Sequence, residues 1–143
     1  MDNRPIGLLD SGLGGLSIAK KVIEKLPNES TVFIGDNAHM PYGNRTKEDI
    51  INLTRRSVKF LLNNDVKLVI FACNTATAAA MGTIEKEIEP QIIGVIQSGA
   101  LAASRTTKNK KVAVVATSVT VGSHAYEKEI HFRDPEIEVT ELA

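Results

Sequence analysis

Cys73 is the only cysteine in a chain of 143 residues, and it stands where the stretch VIFACNTATAAA, residues 69–80, turns from an aliphatic run into a small-residue run. A lone cysteine in apolar company commonly behaves as a small buried hydrophobe. Its position argues for chemistry instead. A strand is predicted to end and a helix to begin at this point, so unpaired backbone N–H groups and the positive end of the helix dipole favour thiolate over thiol. Asn74 and Thr75 add hydrogen-bonding groups at the same helix start, where they can cap the backbone or hold a ligand carboxylate.

The stretch DSGLGG, residues 10–15, is the second candidate. It reads as a tight strand-to-helix turn that uses glycine for its backbone angles. A phosphate-binding loop fits it poorly. Ser17 stands where the dinucleotide fingerprint has its third glycine, and no Gly-Lys-Ser/Thr follows. Asp10 at the mouth of such a loop would repel a phosphate and better suits a substrate ammonium or proton handling. In DNAHMPYGNR, residues 36–45, Pro41 and Gly43 mark either a plain turn with Tyr42 as a surface aromatic or a lid over a crevice. His124 and His131 are seven residues apart, about 10 Å along a helix, with no evident cysteine or carboxylate to complete a ligand set. A solvated helix face is expected for both, and no metal site.

Short β-branched runs alternate with longer segments of helical period, as in βαβ units around a parallel sheet. The strands expected are 6–9, 31–34, 67–72, 92–96, 112–115 and 137–142. Between them lie a helix with Leu16, Ala19, Ile23 and Leu26 on one face, and a second started by Thr46 and Asp49 and reaching about residue 63. An alanine-rich helix follows Cys73, a short one runs to about residue 105, and a last one to about residue 131. The run LVIFA suits a strand buried on both faces. The expected class is α/β, a parallel sheet flanked by helices. Each strand ends in small or polar residues: Asp10-Ser11, Asp36, Cys73-Asn74-Thr75, Gln97-Ser98 and Thr117-Ser118. In an open parallel sheet those carboxyl ends line the ligand crevice.

Composition narrows the partners. Seventeen basic and seventeen acidic residues leave no net charge to draw the chain to nucleic acid or to an anionic membrane. Aromatics make up 4% and tryptophan is absent, which argues against base-stacking platforms. No apolar run is long enough for a signal peptide or a membrane span, and one cysteine agrees with a reducing compartment, so a cytoplasmic protein is expected.

Together, GLLDSGLGGLSIAKK, GDNAHMPYGNR, VIFACNTATAAA, GVIQSGALAA and TSVTVGSHAYEKEI resemble the glutamate racemases, in order and over nearly the whole chain. The resemblance implies a cofactor-independent enzyme that makes D-glutamate for peptidoglycan, built as two pseudo-symmetric α/β lobes with a thiol on each face of the substrate. It implies a first lobe over 1–96 and the beginning of a second over 97–143. Carried over to matching positions, Cys73 and Asp10 are catalytic. Asp10, Ser11, Tyr42, Gly43, Asn74 and Thr75 hold glutamate, joined by Thr117 and Thr120. A homodimer is compatible with this reading. The family's second catalytic cysteine, in a downstream Gly-Cys-Thr-His motif, is absent from these residues, so an N-terminal portion, inactive alone, is expected. Gln97-Ser98-Gly99 stands where the family usually has a proline before the glycine, Met40 where many relatives have cysteine, and Ala116 where glycine is usual. An aspartate racemase on the same scaffold and a non-catalytic binding module are the competing readings.

Overall fold

In the computed structural model, which describes residues 2–143, alternation along the strands sorts apolar side chains onto two faces of one sheet. Strands β1 (Ile6–Asp10), β2 (Thr31–Gly35), β3 (Leu68–Phe71) and β4 (Gln91–Gly94) are parallel, in the order β2-β1-β3-β4. Ile6 pairs with Thr31 on one side and with Leu68 on the other, and Phe71 pairs with Gly94. One face carries Leu9, Val32, Ile34, Val69, Phe71 and Ile92 against helices α2 (Lys47–Leu62) and α3 (Asn74–Ile84). The other carries Ile6, Leu8, Phe33, Leu68 and Ile70 against Ile18, Ala19 and Val22 of α1 (Leu16–Lys25).

The start of α2 follows from local chemistry. The Thr46 hydroxyl accepts from the Asp49 backbone N–H at 3.2 Å, and Glu48 and Asp49 complement the helix dipole in the first turn. A second, two-stranded parallel sheet pairs β5 (Lys111–Val115) with β6 (Glu138–Leu142). Its small core of Ala100, Val114, Ile130 and Ile137 is covered by α4 (Val95–Thr106) and α6 (Ala125–Arg133), which follows α5 (Ser118–Ser123).

Six expectations are corrected. The strand expected over 92–96 ends at Gly94, because Gly94 caps α4 and Ile96 and Ala100 are buried as helix residues. Gln97 and Ser98 therefore lie inside a helix and not at a strand end. The single helix expected to reach about 131 is two, broken at His124, whose backbone is left-handed at φ 53°. His124 and His131 consequently do not share a solvated face: His131 Nε2 lies 2.9 Å from the Ile137 carbonyl, while His124 faces carboxylates. On the α1 stripe only Ala19 is buried, because the helix rests on the sheet through the neighbouring Ile18 and Val22. Finally, Leu68 and Ile70 are only half-buried, so β3 is fully covered on one face alone.

Candidate active site

Cys73 is the N-cap of α3, two residues beyond the last residue of β3. Its sulfur accepts from the Ala76 backbone N–H at 3.4 Å, and its thiol donates to Ser11 Oγ at 3.4 Å. At 6% exposure it is buried, yet it lines a cleft of about 240 Å³ with Asp10, Ser17, Asn74 and Val95. The sulfur thus lies both against a helix-start N–H and at the edge of an open cleft.

Asp10, at the end of β1, is also buried. Its Oδ2 accepts from Gly12 N–H at 3.2 Å and Gly15 N–H at 3.0 Å, so half of the carboxylate holds the DSGLGG turn closed. Among the described residues Oδ1 has no such bond, and it is the oxygen left for a ligand. The turn needs glycine at position 15 for close approach: a Cβ there would lie 2.7 Å from Asp10 Cβ and 3.0 Å from Ala72 Cβ.

The loop after β2 does not leave Tyr42 on the surface. Tyr42 is buried beside α2 and α3, in a short 3-10 turn over Tyr42–Asn44, and its hydroxyl donates to Asp36 Oδ2 at 2.7 Å. Asp36 Oδ1 lies 2.7 Å from His39 Nδ1. Burial, then the hydrogen bond and charge of Asp36, push the Tyr42 hydroxyl well above its ordinary range, so it stays a neutral donor. For Asp36, burial pushes upward, but the hydrogen bonds from His39 and Tyr42 prevail and its carboxyl is held below its ordinary value.

Thr117 approaches from the second sheet. It caps α5 much as Cys73 caps α3, and its methyl packs where Gly43 has no side chain: a Cβ on Gly43 would lie 2.7 Å from Thr117 Cγ2. The hydroxyls of Thr75, Thr117 and Thr120 form a chain, at 3.0 Å and 3.1 Å. Tyr126 donates to Asn74 Oδ1 at 2.7 Å, which turns the Asn74 amide N–H groups away from that bond. Cys73, Asp10, Ser11 and Asn74 thus meet around the cleft, Thr75 links to Thr117 and Thr120, and Gly43 and Tyr42 sit on the adjoining turn. A larger cleft of about 470 Å³, lined by Lys47, Ala79, Ser118 and Lys128, contains no thiol or carboxylate.

The model of the Asp/Glu/Hydantoin racemase family matches residues 6–141. This chain belongs to that family. Over all 143 residues it is 82% identical to a glutamate racemase of Lactobacillus acidophilus, of which it covers 54%. Among solved structures, a glutamate racemase isoform from Bacillus anthracis matches 99% of the chain and 53% of its own length, at TM-score 0.94 and 40% identity. A glutamate racemase of Francisella tularensis in complex with D-glutamate matches the same shares at TM-score 0.89 and 39% identity. The chain spans about half the length of the curated relatives it matches.

Within this racemase-family chain, two polar partners escaped the site residues expected from sequence. Asp36 was visible as a strand-end carboxylate, and the Tyr six residues on was the available signal that it had a partner. Tyr126 carried no local signal, because it meets Asn74 across 52 residues of chain.

Proposed function

We propose that this chain supplies one proton-transfer thiol and most of one wall of a glutamate racemase site that makes D-glutamate for peptidoglycan without a cofactor. The observation that carries the reading is Cys73 at the start of α3, with a backbone N–H and Ser11 on its sulfur and Asp10 beside it in one cleft. Inverting an α-carbon requires taking its proton from one face and supplying another from the opposite face. Cys73 is the base or acid for one face. The α-proton is very weakly acidic, so donors must stabilise charge as it develops on the substrate carboxylate. Asn74, Thr75 and the α3 backbone N–H groups are the donors at hand, and Asp10 Oδ1 receives the ammonium. Tyr42, Gly43, Thr117 and Thr120 close the wall around the substrate. The name of the 82% identical relative favours glutamate over aspartate.

Racemisation is tested by joining the chain in frame to the remaining half of the Lactobacillus acidophilus relative and following D-glutamate by chiral chromatography. Glutamate should invert in preference to aspartate, and Cys73→Ser should lower turnover on the order of 10²–10⁴-fold or more. Absence of glutamate inversion, or full activity of Cys73→Ser, overturns the reading. The 143-residue chain has no second cysteine, so proton NMR of L-glutamate in deuterated water should record at most α-hydrogen exchange without inversion.

A further inference from the structure

We propose that His124, Glu127 and Glu141 form a site for a divalent transition metal, zinc being the ion their chemistry fits. The three come from separate places in the fold: the break between α5 and α6, the first turn of α6, and the end of β6. His124 Nδ1 lies 2.7 Å from Glu141 Oε2 and 3.3 Å from Glu127 Oε2, and one ligand atom from each residue lies within 4.8 Å of the others. Ligand atoms sharing one tetrahedral ion, with bonds of about 2.0–2.1 Å, are separated by roughly 3.3–3.4 Å. With no separation above 4.8 Å, the cluster needs to close by at most about 1.4 Å to accept an ion.

A second observation points to a missing partner. The Glu141 side chain is 8% exposed, and its Oε1 is buried with no hydrogen-bond partner while Oε2 faces the imidazole. A buried carboxylate oxygen left unpaired is costly, and a histidine proton serves only the other oxygen. A dication held by the same carboxylate draws charge from both oxygens or binds both. One imidazole nitrogen with two carboxylates is a borderline donor set, suited to zinc more than to calcium or magnesium, which take oxygen ligands. The left-handed backbone at His124 brings the imidazole to Glu127 and Glu141 together. The ion would pin β6 to the α5–α6 junction, leaving a coordination position open to solvent beside the half-exposed imidazole. None of the three residues lines the Cys73 cleft.

The test uses the 143-residue chain in a Cys73→Ala background, so that the thiol cannot take the metal. Calorimetric titration with zinc should give one equivalent bound. His124→Asn, which tolerates a left-handed backbone, and Glu141→Gln should each weaken it on the order of 10–100-fold or more, with folding checked by circular dichroism. Without any change at the site, the Nδ1 resonance of His124 in nitrogen-15 NMR should shift on adding zinc while those of His39 and His131 stay in place. No saturable zinc binding, zinc binding that survives both substitutions in folded protein, or an unmoved His124 resonance each overturns the site and leaves a plain ion pair.

Discussion

The two faces of the four-stranded sheet are treated differently by the same chain. On the α2–α3 face, Leu9, Val69 and Phe71 are sealed, and the end of β3 on that face leads directly into Cys73, while Asp10 turns toward the start of α1. On the α1 face, Leu16 and Ile23 remain 48% and 51% exposed, and Ile93 of β4 is 41% exposed. Burial comes from whether a partner surface lies opposite, and helical spacing of apolar residues reports only that a stripe exists. The cysteine is held by the sealed face. On the proposed function, that rigid scaffold would keep the thiol within the narrow geometry that proton transfer demands.

The sharpest way to break this contrast is to cut into each face in turn. Phe71→Ala should cost about 3–5 kcal/mol of unfolding free energy, as large core truncations do. It is read from urea denaturation, and a cost no greater than that of an α1 surface change would erase the distinction. Next in size is a tight point on the α1 side, in the turn between β1 and the helix. Gly15→Ala drives a methyl against Asp10 and Ala72 and should cost about 1–3 kcal/mol, a local cost at the start of α1.

A smaller effect belongs to Asp36, two residues beyond the half-buried Ile34. Its carboxyl is held below the ordinary value in the folded chain. Its contribution to stability is therefore complete above the unfolded value of about 3.9 and is lost as pH falls through the lower folded value. Asp36→Asn should cost about 0.5–1.5 kcal/mol at neutral pH, and in acid-unfolding curves should remove part of the decline below pH ~4. Smallest of all, Ile23→Ser should leave stability within about 0.5 kcal/mol while lowering binding of a hydrophobic dye, because it removes apolar surface that the described residues leave uncovered.

Much of the fold was legible because β-branched runs bounded by Gly, Pro and Asn mark buried parallel strands, and Thr46 with Asp49 marked a helix start. Val95 and Ile96 misled for the same reason: β-branched residues after a strand look like more strand, and only packing in the second core makes them helix. The break at His124 falls two residues after Gly122, a helix-weakening signal that is easily passed over because the left-handed residue itself is a histidine. In the site, Cys73, Asp10, Asn74 and Thr75 were readable from position at strand ends. Burial of Tyr42 was not, since it depends on α2 and α3 closing over a loop whose own composition reads as surface. The Thr75–Thr117 and Tyr126–Asn74 contacts join residues 42 and 52 positions apart, and no local pattern encodes such distances.

None of the side chains lining the Cys73 cleft, nor the three threonines linked beside it, carries a positive charge. A carboxylate-bearing guest would be met there by hydroxyls, an amide and backbone N–H groups, with no lysine or arginine to draw it in from a distance. Apart from the Asp10 carboxylate, capture at this wall rests on short directional bonds, so screening by salt, which acts on long-range attraction between charges, should change it little. Such bonds fade within a few tenths of an ångström, so fit at this wall depends on distance more than on net charge.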